Sequence, residues 1–294
     1  RADECAIKCE CGAPLTIRYQ LRKEWRNSKI SGIGRYSALL PVKDMPRMHV
    51  GWTPVTKISN ALFKMEYLSA GGSFKDRGAC IAAQKAKELG AKEIAVDSSG
   101  NSAISFSLFA RILGLKAEVF VPATAPQGKK DLLRFLGAEV HEIKGTREDV
   151  NGEAMSNEHY VGHWWNPYFI EGTKTIAFEA FEQSKVIDCA IAPVGSGTLF
   201  LGLYKGFREL IDLGELEHMP KMIAVQAAGY ALSEKSDEKS ELADGIAIKD
   251  PPRKNEILRA VKESSGRFVV VNDAEIATAL MELRDLGFIV EPTS

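Results

Sequence analysis

The chain has 294 residues, of which 45% are apolar and 26% charged, a globular composition that argues against the disordered and fibrous classes. Its 38 basic and 39 acidic residues give a formal net charge of −1, without the dense positive field that nucleic acid or an anionic membrane attracts. No apolar run approaches the roughly 20 residues that span a bilayer, and residues 1–19 lack a signal-peptide pattern. We expect a cytoplasmic protein of two modest domains that acts on a small molecule, with no nucleic acid or membrane partner.

Five cysteines occur, and three of them lie near the N-terminus, at Cys5, Cys9 and Cys11. A structural zinc site normally uses four ligands in two knuckles, and no fourth cysteine or nearby histidine accompanies these three. We predict that residues 1–45 form an N-terminal arm with the remnant of a zinc ribbon and no complete metal site, and a working zinc ribbon stays open as the alternative. Cys80 and Cys189 lie in apolar stretches, which predicts buried thiols.

Short apolar runs alternate with helical segments along most of the chain. The first series has predicted strands over 93–96, 117–121 and 138–143, with helices over 103–113 and 129–136 between them. The second series has predicted helices over 175–183, 199–210 and 273–286 and strands over 189–194, 222–226 and 267–271. The charged span 233–254, which carries two prolines, predicts a surface loop. This alternation favours two α/β units, each with a mainly parallel sheet covered by helices.

Lys75 lies in the segment Gly71-Gly72-Ser73-Phe74-Lys75-Asp76-Arg77-Gly78, ahead of an apolar helix that begins at Ala79. A lysine in this setting is either an exposed helix-start residue or a reactive amine. The spacing alone does not separate these two interpretations.

A run of small polar residues joins the first predicted strand to its helix: Asp97-Ser98-Ser99-Gly100-Asn101-Ser102. Hydroxyls and backbone N–H groups converge at a helix N-terminus, where a carboxylate is stabilised. Helix capping accounts for one Ser or Asn but not for the whole run. The pattern therefore indicates an anion-binding loop.

A glycine-containing segment, Pro193-Val194-Gly195-Ser196-Gly197-Thr198, likewise follows a predicted strand and opens a helix. Glycines let the backbone approach a phosphate, which N–H groups and the helix dipole then bind. A tight turn is the ordinary explanation of a lone Gly-x-Gly, and the spacing is neither that of a Walker loop nor that of a dinucleotide fingerprint. A turn, a phosphate loop and mononucleotide binding all remain open from this segment alone.

The order of these three segments resembles the tryptophan synthase β family of pyridoxal phosphate (PLP) enzymes, also called fold type II. Within it, the motifs are most similar to those of the threonine synthases. The matching segments are Arg35-Tyr36, Leu40-Pro41-Val42, Gly51-Trp52-Thr53-Pro54, Ser73 to Gly78, Ser98 to Asn101, Asn166-Pro167-Tyr168, Glu171 to Thr175, Ala243-Asp244-Gly245 and Glu291-Pro292-Thr293-Ser294. The resemblance implies two doubly wound α/β domains with PLP in the cleft between them.

The resemblance also implies a role for each residue of the site. Lys75 would carry PLP as a Schiff base, and Asn101 would contact its phenolic oxygen. Thr293 would offer the pyridine nitrogen a neutral hydroxyl, which leaves that nitrogen largely unprotonated. The implied phosphate loop is Val194, Gly195, Ser196, Gly197, Thr198 and Leu199. The implied substrate-binding residues are Ser73, Ser98, Ser99, Ser102 and Lys174.

The implied reaction is that of a carbon-oxygen lyase of threonine biosynthesis, which converts O-phospho-L-homoserine and water to L-threonine and phosphate. Lys75 would move protons at Cα and Cβ, a task that suits an amine whose pKa is lowered by burial. The implied large PLP-binding domain comprises 46–90 and 170–294, and the small substrate-binding domain comprises 91–169. A homodimer is usual in this family.

Three departures from the family pattern bear on the substrate. Ser69-Ala70-Gly71-Gly72 replaces a frequent Asn-Pro-Thr-Gly, and Thr173 replaces a frequent Gln. Phe169 stands where an arginine that would grip the substrate phosphate is expected, and a phenyl ring cannot replace its bidentate hydrogen bonds. The remaining candidates for that task are Lys174, Lys129, Lys130 and Arg77.

Four functions stay open. Asp76 and the ending Glu-Pro-Thr-Ser match the synthase pattern and favour it over a threonine or serine dehydratase. The leading alternative is PLP-dependent β-replacement on O-phosphoserine, as in cysteine or cysteate synthesis. A regulator with the same fold and no activity is disfavoured, because it would have no need for Lys75, Asn101 and Thr293 together.

Overall fold

The computed structural model describes residues 8–18, 20–233 and 238–294. Within these ranges lie an antiparallel pair of strands and two three-stranded parallel sheets. The strands are β1 (Val55–Ile58), β2 (Ala61–Lys64), β3 (Glu93–Val96), β4 (Lys116–Pro122), β5 (Glu139–Ile143), β6 (Cys189–Pro193), β7 (Lys221–Ala227) and β8 (Arg267–Val271). The helices are α1 (Lys75–Glu88), α2 (Asn101–Leu113), α3 (Gln127–Phe135), α4 (Arg147–Met155), α5 (Pro167–Thr173), α6 (Thr175–Ser184), α7 (Thr198–Asp212), α8 (Lys254–Glu263) and α9 (Asp273–Asp285). Short 3-10 helices cover Gly32–Leu39, Glu66–Leu68 and Asp244–Ile246.

The first parallel sheet has the order β3-β4-β5, and residues 159–161 extend it beyond β3. Ala95 donates to the carbonyl of His159 at 3.1 Å, and Val161 donates to the carbonyl of Ala95 at 2.8 Å. The chain therefore runs from β3 outward to β5 and then returns through α4 to the opposite edge. The winding direction therefore reverses between β3 and residues 159–161, and α/β proteins bind ligands at the carboxyl ends of the strands at such a point.

The second parallel sheet has the order β6-β7-β8. The glycine-containing loop follows β6 and leads directly into α7, while Asp244–Ile246 lies in the connection after β7. Because the strands are parallel, these connections all begin at the end of the sheet where the strands have their carboxyl ends. Both parallel sheets thus present polar loops at their carboxyl ends.

Two large hydrophobic cores and a small third one, formed by Ala227, Ala243 and Ile276, stabilise the described structure. One large core lies around β3–β5 and includes Phe106 and Val119, and the other lies around β6–β8 and includes Phe200 and Met222. Helix α1 packs into the first core, although the domain boundaries predicted from the sequence assign it to the large domain. The domain boundaries predicted from the sequence therefore cut through a shared core at α1.

The predicted α/β architecture is confirmed, and the predicted strands of both series are present with ends shifted by at most one residue. Helix α1 begins at Lys75 rather than at Ala79. The predicted loop 233–254 contains the 3-10 helix Asp244–Ile246 and ends at α8, and its residues 234–237 lie outside the described ranges. The β1–β2 hairpin and helices α4, α5 and α8 were not predicted.

The cysteine predictions have mixed outcomes. Cys80 is buried as predicted, whereas the prediction for Cys189 was wrong because β6 leaves this side chain exposed. Cys5 lies outside the described residues, and Cys9 and Cys11 are exposed thiols without a disulfide. None of the helices in the described ranges is long and apolar enough to cross a bilayer.

Candidate active site

Lys75 is the first residue of α1, and its side chain is half-buried. The surrounding protein removes water from the ammonium group and lowers the pKa of Lys75 to about 8, although the Glu291 carboxylate acts in the opposite direction. Its Nζ lies 4.0 Å from the centroid of the Phe74 ring. An amine with this pKa is neutral far more often at physiological pH than an ordinary lysine, so it can act as a nucleophile and as a base.

Asp76 fixes the loop ahead of Lys75. Its carboxylate accepts a 2.7 Å hydrogen bond from the backbone N–H of Gly71 and a 2.6 Å hydrogen bond from the hydroxyl of Ser105 on α2. Burial raises the pKa of Asp76, and both hydrogen bonds act against this effect. The side chain next to Lys75 thus connects the start of α1 to α2, which opens the polar loop after β3.

Arg77 anchors the other side of the start of α1. Its guanidinium is fully buried and donates to Glu179 at 2.6 and 2.7 Å and to Glu66 at 2.7 Å. Lys64 contacts Glu179 at 2.8 Å and completes the ionic cluster. The suggestion that Arg77 binds a substrate anion was therefore wrong, because two carboxylates already occupy this guanidinium.

The loop after β3 approaches Lys75 through Glu291. Asn101 Nδ2, in the first turn of α2, donates a 2.7 Å hydrogen bond to Glu291 Oε1, and the same carboxylate interacts electrostatically with Lys75. Ser98 accepts the backbone N–H of Gly100 at 3.2 Å. The Oγ of Ser102 is buried and has no hydrogen-bond partner in the described part of the chain. An unsatisfied hydroxyl at this point fits a polar ligand.

The loop after β6 forms a cradle at the start of α7. Gly197 has a φ of 84°, a left-handed conformation that favours glycine. A Cβ at Gly195 would lie 2.7 Å from the Cα of Ile246, so only glycine fits against the 244–246 turn. The hydroxyls of Ser196 and Thr198 are buried and 3.3 Å apart. The first N–H groups of a helix have no partner inside the helix, and they suit a phosphate.

Thr293 joins the two loops. A Cβ at Gly245 would lie 3.3 Å from Thr293 Oγ1, and Gly245 precedes the residue that contacts Gly195. Thr293 also follows Glu291, which binds Asn101. Contacts thus lead from the cradle to Thr293, Asn101 and Lys75. The lowered pKa of Lys75, the cradle and the unpaired Ser102 hydroxyl fit a phosphorylated aldehyde cofactor such as PLP with an amino-acid substrate.

Lys174 does not belong to this group of contacts. Its ammonium is fully buried between α5 and α7 and contacts Glu171 at 2.6 Å and Glu209 at 2.8 Å. These ion pairs disfavour Lys174 as a substrate ligand, and its role in substrate binding stays a prediction. Lys130 is likewise paired with Glu142, at 2.8 Å. The exposed Lys129 lies 3.8 Å from Asp244.

Phe169 is a core residue. It is fully buried, and its ring centroid lies 5.9 Å from that of Phe106 and 5.4 Å from that of His163. A Cβ at Gly78 would lie 2.5 Å from the Phe169 ring, so α1 and α5 are in close contact here. The space available to an arginine at this position is filled by an apolar side chain.

Three residues that the sequence did not single out as ligands contact one another near the carboxyl ends of the strands of the first sheet. The ring of His163 lies 6.1 Å from that of Trp164, and the guanidinium of Arg147 stacks 4.7 Å from the centroid of Trp164. Burial lowers the pKa of His163 well below its usual value, and the charges of Lys75 and Arg147 lower it further. His163 and Trp164 follow the segment that pairs with β3, and Arg147 follows β5, so their proximity is a three-dimensional signal that periodicity does not carry.

One further polar cluster lies on the first sheet, away from these loops. Oxygens of Glu118 and Glu139 and a ring nitrogen of His141 lie within 4.8 Å of one another. Lys116 contacts both carboxylates, at 2.9 Å in the case of Glu139. The lysine thus supplies the positive charge that this cluster requires.

Comparison with known proteins agrees with this geometry. Residues 46–294 match the family model described as pyridoxal-phosphate dependent enzyme. The threonine synthase of Methanocaldococcus jannaschii is 32% identical over 330 residues, which cover 99% of this chain and 82% of that protein. The threonine synthase of a Synechocystis species is 35% identical over 241 residues, covering 79% of this chain and 63% of that protein.

Solved structures show the same fold. The serine racemase of Dictyostelium discoideum superposes with a TM-score of 0.69 at 27% identity, with 82% of each chain covered. A pyridoxal 5'-phosphate-dependent aspartate racemase superposes with a TM-score of 0.71 at 24% identity over 83% of this chain and 81% of that chain, a likeness of fold alone.

Proposed function

The chain belongs to the family of pyridoxal-phosphate dependent enzymes of fold type II, and we propose that it is a threonine synthase, which converts O-phospho-L-homoserine and water to L-threonine and phosphate. The observation that carries this proposal is the similarity to threonine synthases over almost the whole chain. The contacts that connect Lys75, Asn101, the cradle and Thr293 support it independently.

Lys75 is the proposed attachment point and the proton carrier. Bound PLP supplies a conjugated system that stabilises negative charge at the substrate Cα. The Lys75 amine, freed when substrate binds, would take protons from Cα and Cβ, so that phosphate leaves from Cγ, and would return protons at Cγ and Cα, while water adds at Cβ. Its lowered pKa lets one group act both as base and as acid near neutral pH.

The two loops orient the reacting molecules. We assign the cofactor phosphate to Val194, Gly195, Ser196, Gly197, Thr198 and Leu199, where the N-terminus of α7 stabilises negative charge. Thr293 offers a neutral hydroxyl to the pyridine nitrogen, and Asn101 holds the phenolic oxygen. The substrate carboxylate is assigned to the loop of Ser98, Ser99 and Ser102, whose unpaired hydroxyl suits it. Ser73 is also assigned to substrate binding, and its Oγ accepts a hydrogen bond from the backbone N–H of Lys75 at 3.3 Å.

The proposed organisation keeps a small substrate-binding domain over 91–169 and a large PLP-binding domain over 46–90 and 170–294, with α1 packed against the small one. Two separate parallel sheets support this division. We also propose a cytoplasmic homodimer, in line with the resemblance to the family.

A second candidate is β-replacement on O-phosphoserine, with sulfide or sulfite as the nucleophile. The observation that favours it is Phe169, which fills the place of an expected phosphate-binding arginine. A dehydratase activity is third.

The deciding experiment compares two assays on the purified protein with PLP. One measures phosphate release and threonine formation from O-phospho-L-homoserine, and the other measures phosphate release from O-phosphoserine with sulfide. The proposal expects turnover in the first assay. Turnover in the second assay alone would show that the protein is a β-replacement enzyme and not a threonine synthase. A protein that cannot bind PLP would rule out both functions.

A further inference from the structure

Arg147 is an exposed cation near the carboxyl ends of the strands of the first sheet. It opens α4 directly after β5 and its connection, and its guanidinium stacks on Trp164. Trp164 follows residues 159–161, the segment that pairs with β3 on the other edge of the sheet. Both residues therefore leave the carboxyl ends of parallel strands, as the polar loop Ser98–Ser102 does.

His163 connects this cation to the reaction centre. Its ring contacts both Trp164 and Phe169, and the charges of Lys75 and Arg147 both act on it. The imidazole therefore lies within the fields of the lysine and the arginine. Because burial keeps it neutral, it can donate one hydrogen bond without requiring a counter-charge.

Arg147 is available for a ligand. Among the described residues, no carboxylate lies within ion-pair distance of its guanidinium, which stacks on Trp164. Asp97, the acidic side chain whose charge reaches it, already accepts a 2.6 Å hydrogen bond from Tyr160 and a 2.7 Å hydrogen bond from Asn151. The indole face restricts the guanidinium while its N–H donors, which lie in the plane of the group, remain open.

We propose that Arg147, held on Trp164 and assisted by His163, binds the phosphate of an O-phosphorylated amino-acid substrate. This inference rests on the proposed function and assigns the anion contact that Phe169 cannot make. In O-phosphohomoserine the ester oxygen, Cγ and Cβ separate phosphorus from Cα, so the phosphate must be held some distance from the Lys75 amine that acts at Cα. An arginine beyond His163 meets this requirement and presents two parallel donors to phosphate oxygens.

The test is an equilibrium titration of the PLP-loaded enzyme, followed through the absorbance of the bound cofactor. Wild type, Arg147→Gln, Arg147→Lys and Trp164→Leu are each titrated with O-phospho-L-homoserine, with O-phosphoserine and with L-norvaline, an amino acid without phosphate. Arg208→Gln on α7 is the matched control, because Arg208 is exposed and forms an ion pair at 3.8 Å with the exposed Glu263.

Arg147→Gln is expected to raise the dissociation constant of the phosphorylated ligand at least tenfold, as for loss of a charge-assisted hydrogen bond. L-Norvaline should change less than about twofold, Arg147→Lys should recover part of the loss, and Trp164→Leu should give an intermediate loss. Arg208→Gln should bind as wild type does.

Two results separate the two proposals. If wild type turns over O-phosphohomoserine but Arg147→Gln binds it unchanged, the Arg147 site is wrong and the proposed function stands. If wild type binds and turns over O-phosphoserine alone, threonine synthesis is wrong, and loss of that binding in Arg147→Gln still supports the phosphate site. Equal losses for L-norvaline and the phosphorylated ligands would show a general distortion and overturn the assignment.

Discussion

Asn101 Nδ2 donates a 2.7 Å hydrogen bond to Glu291 Oε1, which joins the start of α2 to a residue 190 positions later in the chain. The same carboxylate acts on Lys75 and partly offsets the effect of burial on its pKa. Glu291 therefore couples the position of one proposed cofactor ligand to the basicity of another.

Replacing Glu291 by Gln should lower the pKa of Lys75 below about 8, because the carboxylate that favours the charged amine is lost. The rate at which cofactor-free protein captures PLP should rise with pH as the amine becomes neutral. The midpoint of that rise should move to lower pH in Glu291→Gln. Glu282→Gln, an exposed change on α9, should leave the midpoint in place. An unchanged midpoint in Glu291→Gln would remove Glu291 from the electrostatics of the site.

Lys75→Met should abolish the absorbance band near the visible edge that PLP gives when attached to the protein, whereas Lys262→Met on the exposed side of α8 should retain it. The variant should also stabilise the cofactor-free protein. The pKa of Lys75 in the folded protein lies below the unfolded value of 10.5, so protonation of Lys75 destabilises the folded state. The whole of this effect is present below about pH 8. This effect vanishes above the unfolded value. The melting temperature should rise by a few degrees, on the order expected for about 1 kcal/mol, at pH 7 and not at pH 11.

Ser102→Ala and Ser107→Ala form a matched pair, because both hydroxyls are buried on α2 and lack a hydrogen-bond partner among the described residues. Neither change should lower the free energy of unfolding by more than about 0.5 kcal/mol, since no hydrogen bond is lost. Only Ser102→Ala should weaken amino-acid binding to the PLP-loaded protein, by about tenfold for a bond to a carboxylate. Equal binding by the two variants would assign the Ser102 hydroxyl no ligand.

Gly78→Ala should destabilise the protein, although alanine is the better helix former. The new Cβ would lie 2.5 Å from the Phe169 ring, and such overpacking costs about 1–3 kcal/mol. Gly152→Ala on α4 is the control, since its Cβ meets no atom within 4 Å and should stabilise by about 0.5–1 kcal/mol. The double variant Gly78→Ala, Phe169→Leu should recover part of the loss in urea unfolding. Destabilisation by Gly152→Ala as well would point to a general helix effect.

Glu179→Gln should cost about 3–5 kcal/mol of unfolding free energy, because it leaves Arg77 and Lys64 without their shared buried carboxylate. Burial alone would raise the pKa of Glu179, but the two cations lower it. Its contribution is therefore present above the unfolded pKa and is lost as the pH falls through the folded value. Asp285→Asn, which breaks an exposed pair with Arg284, should cost less than about 1 kcal/mol. Similar losses for both variants would contradict the role of the buried cluster.

The sequence predicted the parallel strands well, because strands such as β3 and β8 are short apolar runs after a charged first residue. It also predicted the loops that open α2 and α7, since glycine, serine and asparagine accumulate at strand ends. The sequence did not predict the short or amphipathic elements. The β1–β2 hairpin has strands of only four residues, and half of the residues of α8 are charged.

The charged residues could not be sorted from the sequence. In the sequence, Arg77 and Lys174 cannot be told apart from exposed residues of the same types, Arg147 and Lys129. Only the fold shows that Arg77 and Lys174 are buried and paired with carboxylates, which lie up to 102 positions away in the chain. His163 and Glu291 were likewise not recognised as parts of the site, because their relation to Lys75 arises from strand ends that meet in space.

Lys75 begins a helix in which every residue from Asp76 to Ala86 is buried. Amide protons in such a segment exchange with solvent only when a large part of the structure opens, so the protection of α1 should approach the stability of the whole protein. The reactive amine thus extends from the slowest-exchanging part of the backbone, while its ligand-facing neighbours occupy loops. Ligand specificity can change through those loops without altering the position of the lysine.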